Sequence, residues 1–114
     1  MPVVNVSWNR KTSKEEKREF MDAIVDIISE TTSSSKERIY VFIKEYEEEN
    51  VGMVNAPVVQ INWLDLPTRT VEARKEMMKR ITEKLATYPD VDVNKVLTII
   101  TDTETYNGHI GPWE

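Results

Sequence analysis

The residue best able to do chemistry in this chain is a proline at position 2. Pro2 follows Met1, and a side chain this small after Met normally allows removal of Met1, which would leave Pro2 with a free secondary amine. A backbone α-amine titrates near neutrality, at roughly 7.7–8.0 in model peptides. We therefore expect Pro2 to act as a general base or acid at physiological pH.

Proton transfer by such an amine would act on a carbonyl compound. The neutral amine can take a proton from a carbon or hydroxyl beside a carbonyl, and the ammonium returns it elsewhere on the conjugated system. Burial and neighbouring cations would lower the amine's pKa and keep it a base at pH 7. A cation or hydrogen-bond donor must also hold the enolate-like oxygen. The candidates for binding the substrate are Arg10, Lys11, Arg38 and Arg69, with Tyr40 as a neutral donor.

The segment around Pro2 occurs twice in the chain. Residues 2–8 (Pro-Val-Val-Asn-Val-Ser-Trp) return as residues 57–63 (Pro-Val-Val-Gln-Ile-Asn-Trp), which indicates an internal duplication. Further along, the offset between the copies grows by two, so the second copy has a longer strand-to-helix loop. Pro57 lies between two peptide bonds. Its nitrogen is an amide and cannot serve as a base, so we interpret Pro57 as structural.

The spacing of apolar residues predicts the elements that position Pro2. Ser13 and Glu16 fit a capping box at the start of a helix, and Phe20, Ile24 and Ile28 recur at helical spacing. Residues 39–43 are apolar throughout, which suits a strand covered on both faces. Each half is therefore predicted as strand, helix, strand: residues 2–8, about 13–30 and 38–44, then 57–63, about 71–86 and 95–101.

The predicted fold class is α+β. Two tandem β-α-β units, about 1–55 and 56–114, would form a four-stranded sheet with two helices on one face, within a single domain of residues 1–114. A strand–helix–strand crossover makes its two strands parallel. The other sheet face is partly apolar, so we expect other subunits to bury it in a homo-oligomer.

Composition excludes several classes of function. The net charge is −5, which disfavours a nucleic-acid partner. The chain has no cysteine and one histidine, His109, which excludes thiolate catalysis and a Cys- or His-rich metal site; we expect no metal. No stretch approaches the ~20 apolar residues of a membrane span, so we expect no membrane partner and a cytoplasmic location.

The Pro2-Val3-Val4-Asn5-Val6 strand, the capped helix and the second apolar strand closing with Asn-x-Gly resemble the 4-oxalocrotonate tautomerase group of the tautomerase superfamily. The resemblance covers both halves, so the chain looks like a fused, tandem member. It implies the tautomerase fold, a homotrimer and an isomerase that needs no cofactor. It also implies a small enol or keto carboxylate substrate, such as a 2-hydroxydienoate or an arylpyruvate-like acid.

The resemblance assigns roles to particular positions. Pro2 matches the catalytic proline. The family places an Arg at the end of the first loop to bind a substrate carboxylate, and counting from Pro2 reaches Thr12, directly after Arg10 and Lys11. In the second half the same count reaches Pro67, two residues before Arg69.

A second family Arg, at the start of the second strand, polarises the substrate carbonyl. Tyr40 and Leu97 occupy that position in the two halves, and Arg38 lies two residues before Tyr40. The proline is therefore present while both arginine positions are changed. Two interpretations stay open: a Pro2-dependent tautomerase, or an oligomeric module whose active site has lapsed. The same proline could also serve a dehalogenase, hydratase or decarboxylase of the superfamily.

Overall fold

Each half of the chain folds as strand, helix, strand, which confirms the predicted order. The structure is a computed structural model and describes residues 1–113. Short 3-10 turns lead into or follow the outer strands, among them Lys36–Arg38 and Thr105–Asn107. The main elements are β1 (Val3–Trp8), α1 (Lys14–Thr32), β2 (Tyr40–Glu45), β3 (Val58–Leu64), α2 (Val71–Leu85) and β4 (Leu97–Thr103).

The four strands form one sheet in the order β2-β1-β3-β4. β1 is parallel to β2, and β3 is parallel to β4, as the crossover geometry predicts. The two central strands are antiparallel, so Val3 lies opposite Asn62 and Ser7 lies opposite Val58. The start of β1 is therefore beside the end of β3. This arrangement decides which loop reaches Pro2.

One face of the sheet packs against both helices. Alternate residues of the central strands are buried there, including Val4, Val6, Ile61 and Trp63. Each helix contributes an apolar stripe whose residues are fully buried: Phe20, Ile24 and Ile28 from α1, as predicted, and Met77, Ile81 and Leu85 from α2. These side chains form one core cluster, which confirms the α+β fold with two helices on one face.

The ends of α1 differ in detail from the prediction. The Ser13 hydroxyl accepts a hydrogen bond from the backbone N–H of Glu16 at 3.1 Å, as expected for an N-cap. The Glu16 carboxylate accepts from Nη2 of Arg10 at 3.3 Å, so it is engaged outside the capping box. The helix continues to Thr32, whose hydroxyl donates to the carbonyl of Ile28, and ends at Ser33 in the left-handed conformation, with φ 57°.

The other face of the sheet is open to solvent in a single chain. β2 is an edge strand, so the prediction that it is covered on both faces is wrong for one chain, where Phe42 is 57% exposed. The strand also starts at Tyr40, because Lys36–Arg38 forms a 3-10 turn. The exposed apolar side chains of this open sheet face are Tyr40, Phe42, Leu97 and Ile99.

Within residues 1–113, neither helix has the length and apolar character required to cross a membrane.

Candidate active site

Pro2 is buried at one end of the sheet. Its carbonyl accepts a hydrogen bond from the backbone N–H of Tyr40 at 2.9 Å, which ties the start of β1 to the start of β2. In the second repeat the carbonyl of Pro57 accepts from Leu97 at 3.1 Å. The two prolines thus have equivalent backbone positions at opposite ends of the sheet.

A pocket of about 480 Å³ opens beside the N-terminus. Residues of the sheet, mostly from β2 and β3, and the tail of the second repeat form its walls. The tail at Gly108 runs close to two side chains, since a Cβ at this position would lie 2.5 Å from Cε of Met1 and 2.9 Å from Cδ2 of Leu64. The Met1 side chain therefore lies against the tail at Gly108. The pocket is lined by residues that include Met1, Val3, Tyr40, Phe42, Asn62, Trp63, Leu64, Gly108, His109 and Ile110.

The surroundings of the N-terminal amine disfavour its protonated form. Burial lowers the pKa of the Met1 α-amine, and the positive charges of Arg69 and Arg38 lower it further. Arg38 is exposed in the 3-10 turn before β2. Two of the four cations predicted from the sequence thus act on this end of the sheet.

Arg69 is the buried cation of the site, with only 4% of its surface exposed. Its guanidinium carbon lies 4.5 Å from the ring centre of Trp63, which lines the pocket. Nη1 donates to the carbonyl of Leu64, and Nη2 donates to the hydroxyl of Ser34 at 3.4 Å. Within residues 1–113 no carboxylate forms an ion pair with Arg69, and its Nε is buried without a hydrogen-bond partner. Burial therefore lowers the pKa of Arg69, and the charge of Arg74 adds to this effect.

A buried guanidinium without a counter-ion is costly in free energy. Such a group is more typical of a functional site than of a stabilising contact. Arg69 directly precedes Thr70, the N-cap of α2, just as Thr12 directly precedes Ser13, the N-cap of α1. Arg69 therefore holds the structural position that counting from Pro2 assigned to Pro67. The longer loop of the second repeat explains the error, and alignment on the two N-caps would have avoided it.

Arg10 and Lys11 lie away from Pro2 within one chain. They follow β1, which runs away from Pro2, and so they lie at the opposite end of the sheet. Arg10 is ion-paired with Asp90 at 3.0 Å and with Glu16 at 3.3 Å, and it stacks on Tyr88 at 4.0 Å. These contacts give Arg10 a structural role at that end. The expectation that Arg10 and Lys11 serve the Pro2 site is not met within a single chain.

The remaining residues of the site come from β2, β3 and the tail. Tyr40 lines the pocket and is 41% exposed. Asn62 and Trp63 also line it, and the sequence prediction missed both as site residues. His109 is exposed, stacks on Trp113 with ring centres 3.7 Å apart, and lines the pocket. The antiparallel β1–β3 pairing is the signal that would have identified Asn62, since it places the end of β3 beside Pro2.

A second pocket of about 850 Å³ occupies the Pro57 end of the sheet. Trp8 and Leu97 line it, as Trp63 and Tyr40 line the first pocket. The nearby guanidinium, Arg10, is neutralised by two carboxylates. The two ends of the sheet are therefore alike in backbone and different in charge.

Comparison with known proteins places the chain in a family. The model of the family described as "Tautomerase enzyme" matches residues 2–55. A 2-hydroxymuconate tautomerase of Bacillus subtilis (strain 168) is 34% identical over 53 residues, which span 46% of this chain and 86% of that protein.

Solved structures extend the likeness to the second repeat. The crystal structure of a native fused 4-OT has a TM-score of 0.86 at 16% identity, over 96% of this chain and 92% of that one. A wild-type fused 4-OT described as an asymmetric trimer, F6, has a TM-score of 0.81 at 17% identity, with the same coverage. The sequence match and the shared tandem fold confirm the resemblance read from the Pro2 strand: the chain belongs to the tautomerase family, as a fused member with two β-α-β units.

Proposed function

We propose that the chain is a cofactor-independent keto–enol tautomerase, an isomerase in which the Pro2 amine transfers the proton after removal of Met1. The observation that carries this proposal is the environment of the N-terminal amine. Burial and the charges of Arg69 and Arg38 lower the pKa of the amine at this place. The same surroundings would lower the pKa of a Pro2 amine and so favour its neutral form, which is the form that acts as a base.

The proposed reaction needs no oxidant, reductant or metal. The neutral Pro2 amine takes the hydroxyl proton of a 2-hydroxydienoate, the electrons of the O–H bond form the carbonyl, and the conjugated double bonds shift. The Pro2 ammonium then delivers its proton to the carbon that has gained electron density. The products are the keto acid and the regenerated amine. For an arylpyruvate the same steps interconvert the enol and keto forms.

Three other residues complete the proposed site. Arg38 is exposed in the turn before β2, its charge acts on the amine, and it would bind the substrate carboxylate. Tyr40, on the pocket wall, would donate a hydrogen bond to the developing oxyanion. Arg69 would keep the amine neutral and favour an anionic substrate. A pocket of about 480 Å³ with Trp63 in its wall suits a small, planar, conjugated acid.

Alkylation of the amine tests the proposal. An acetylenic 2-keto acid should label Pro2 once per chain and leave Pro57 unlabelled, because only Pro2 can become an amine. Peptide mass spectrometry would locate the label, and turnover of phenylenolpyruvate and 2-hydroxymuconate would be followed on the same protein. Absence of both labelling and turnover in a protein shown to begin at Pro2 would favour the lapsed-site module. Labelling with turnover of only a haloacrylate or a β-keto acid would indicate another reaction of the same proline.

We also propose that each chain forms one domain of two repeats and that three chains assemble into a homotrimer. The exposed apolar residues of the open sheet face support this assembly, as does the relative described as a trimer. Phe42→Glu places a charge on this face and should convert the assembly to monomers in light scattering. Val71→Glu is the matched control, since Val71 is 61% exposed on α2, away from the open face. A native protein that stays monomeric at micromolar concentration would contradict the proposal.

A further inference from the structure

Arg74, in the first turn of α2, connects several charged groups around Arg69. Its Nη1 forms an ion pair with Asp102 at 2.9 Å, and its Nη2 forms one with Asp65 at 3.4 Å. Its Nε donates to the backbone carbonyl of Arg69 at 2.8 Å. Asp102 also accepts from Nε1 of Trp63 at 2.8 Å. Arg74 therefore holds both carboxylates and the backbone of Arg69.

Two guanidinium groups and two carboxylates share this small region, yet their pairing is uneven. Arg69 and Arg74 both lie over Trp63, with guanidinium carbons 4.5 and 5.3 Å from the ring centre. Arg74 takes both carboxylates, whereas Arg69 has none within residues 1–113. Asp102 and Asp65 still act on Arg69, since their charges oppose the lowering of its pKa. Without Arg74 these carboxylates would have Arg69 as a nearby cation to bind.

The first repeat has an equivalent cation–carboxylate pair, but there the carboxylate also binds the residue before the helix N-cap. Lys17 corresponds to Arg74 and pairs with Glu45 at 3.2 Å, while Glu45 corresponds to Asp102 in strand register. Thr12, at the position of Arg69, donates directly to Glu45 at 3.2 Å. The residue before the N-cap is thus bound to the carboxylate in the first repeat and kept from it in the second.

We propose that Arg74 is a positioning residue for the Pro2 site: by binding Asp65 and Asp102 it keeps both carboxylates from Arg69, so that the charge of Arg69 acts on the N-terminal amine. The consequence for turnover rests on the proposed tautomerase function. The consequence for the amine does not, because protonation can be measured without a substrate.

The expected direction follows from the charges around the amine. The charges of Arg69, from the segment before α2, and of Arg38, from the turn before β2, act on the amine, and His109 lines the pocket. If Asp65 or Asp102 binds Arg69, the nearby negative charge weakens the positive field of Arg69 at the amine. The ammonium form then becomes more stable, and the pKa of the Pro2 amine rises.

Arg74→Met is the main test. In protein lacking Met1 and labelled with ¹⁵N-proline, NMR titration should show the pKa of the Pro2 amine higher than in the native protein by on the order of one pH unit. Arg74→Lys, which can keep one ion pair but not both, should give a smaller rise and serves if Arg74→Met fails to fold. Arg80→Met is the matched control, because Arg80 lies on the same helix and pairs with Glu30 at 3.3 Å. It should leave the pKa unchanged.

Two double variants test whether Arg74 affects the pKa of the Pro2 amine through Arg69 or by another route. Arg74→Met with Asp102→Asn should recover much of the native pKa, since the competing charge is gone. Arg74→Met in an Arg69→Met background should add no further rise, because Arg74 acts through Arg69. An unchanged pKa in Arg74→Met, or a full rise that persists without Arg69, would overturn the proposal. If the variants show these pKa shifts while the native protein has no Pro2-dependent turnover, only the tautomerase function is contradicted.

Discussion

Replacing Pro2 by Ala is expected to lower kcat/KM for an enol acid by about 10²–10⁴-fold, the usual contribution of a positioned general base. Alanine also leaves a free α-amine, but that amine is primary, more mobile and no longer fixed by the pyrrolidine ring. The carbonyl of residue 2 can still accept from Tyr40, so β1 should stay paired with β2. The loss should therefore be in kcat more than in folding. Steady-state kinetics with phenylenolpyruvate at several pH values would measure it.

Pro57→Ala is the matched control for this experiment. Pro57 is buried at the other end of the sheet and makes the equivalent backbone hydrogen bond, to Leu97. Because its nitrogen is an amide, its loss should change kcat/KM only a fewfold, through packing. Comparable losses in the two variants would show that the proline at position 2 acts through structure and not through its amine.

Retention of Met1 is expected to reduce kcat/KM by about 10²-fold or more, since even a 1 Å displacement of a reacting group can cost that much. With Met1 attached, the Pro2 nitrogen is a tertiary amide without a basic lone pair, and the amine lies one residue away. The Met1 side chain also lies against the tail at Gly108 and lines the pocket, so it occupies space that a substrate would use. Both kcat and affinity should therefore fall.

A cleavable leader makes this comparison within one preparation. The protein would be assayed with a residue before Pro2 and again after proteolytic removal, with intact mass spectrometry to confirm each N-terminus. Activity should appear in proportion to the fraction of chains that begin at Pro2. Full activity before cleavage would contradict the proline mechanism and direct attention to a side chain such as Tyr40 or His109.

The fold could be predicted from sequence because its main signals are local or repeated. The recurrence of residues 2–8 at 57–63 predicts two equivalent units, and the Ser13 cap and the helical stripes predict where the helices begin and which side they bury. Element ends were less accurate, because a 3-10 turn at Lys36–Arg38 and the threonine hydroxyls at the end of α1 depend on local hydrogen bonds.

The candidate site was harder to predict, since it combines distant parts of the chain. Arg10 and Lys11 are close to Pro2 in sequence, but an extended strand carries them to the far end of the sheet. The antiparallel central pair brings the loop after β3 to Pro2 instead, and with it Arg69. Which guanidinium is neutralised depends on partners such as Asp90, far along the chain from Arg10. Spacing within one repeat contains no information about such contacts.

The strand order β2-β1-β3-β4 also bears on how fast the chain can fold. None of the paired strands is joined by a hairpin: each parallel pair encloses a whole helix, and the central pair links the two repeats. The entropy of closing these long loops must be lost before the strand contacts are gained, which slows folding for a chain of this size. Until the central pair forms, the edges of β1 and β3 are open to strands of other chains, and assembly competes with misassembly during that interval.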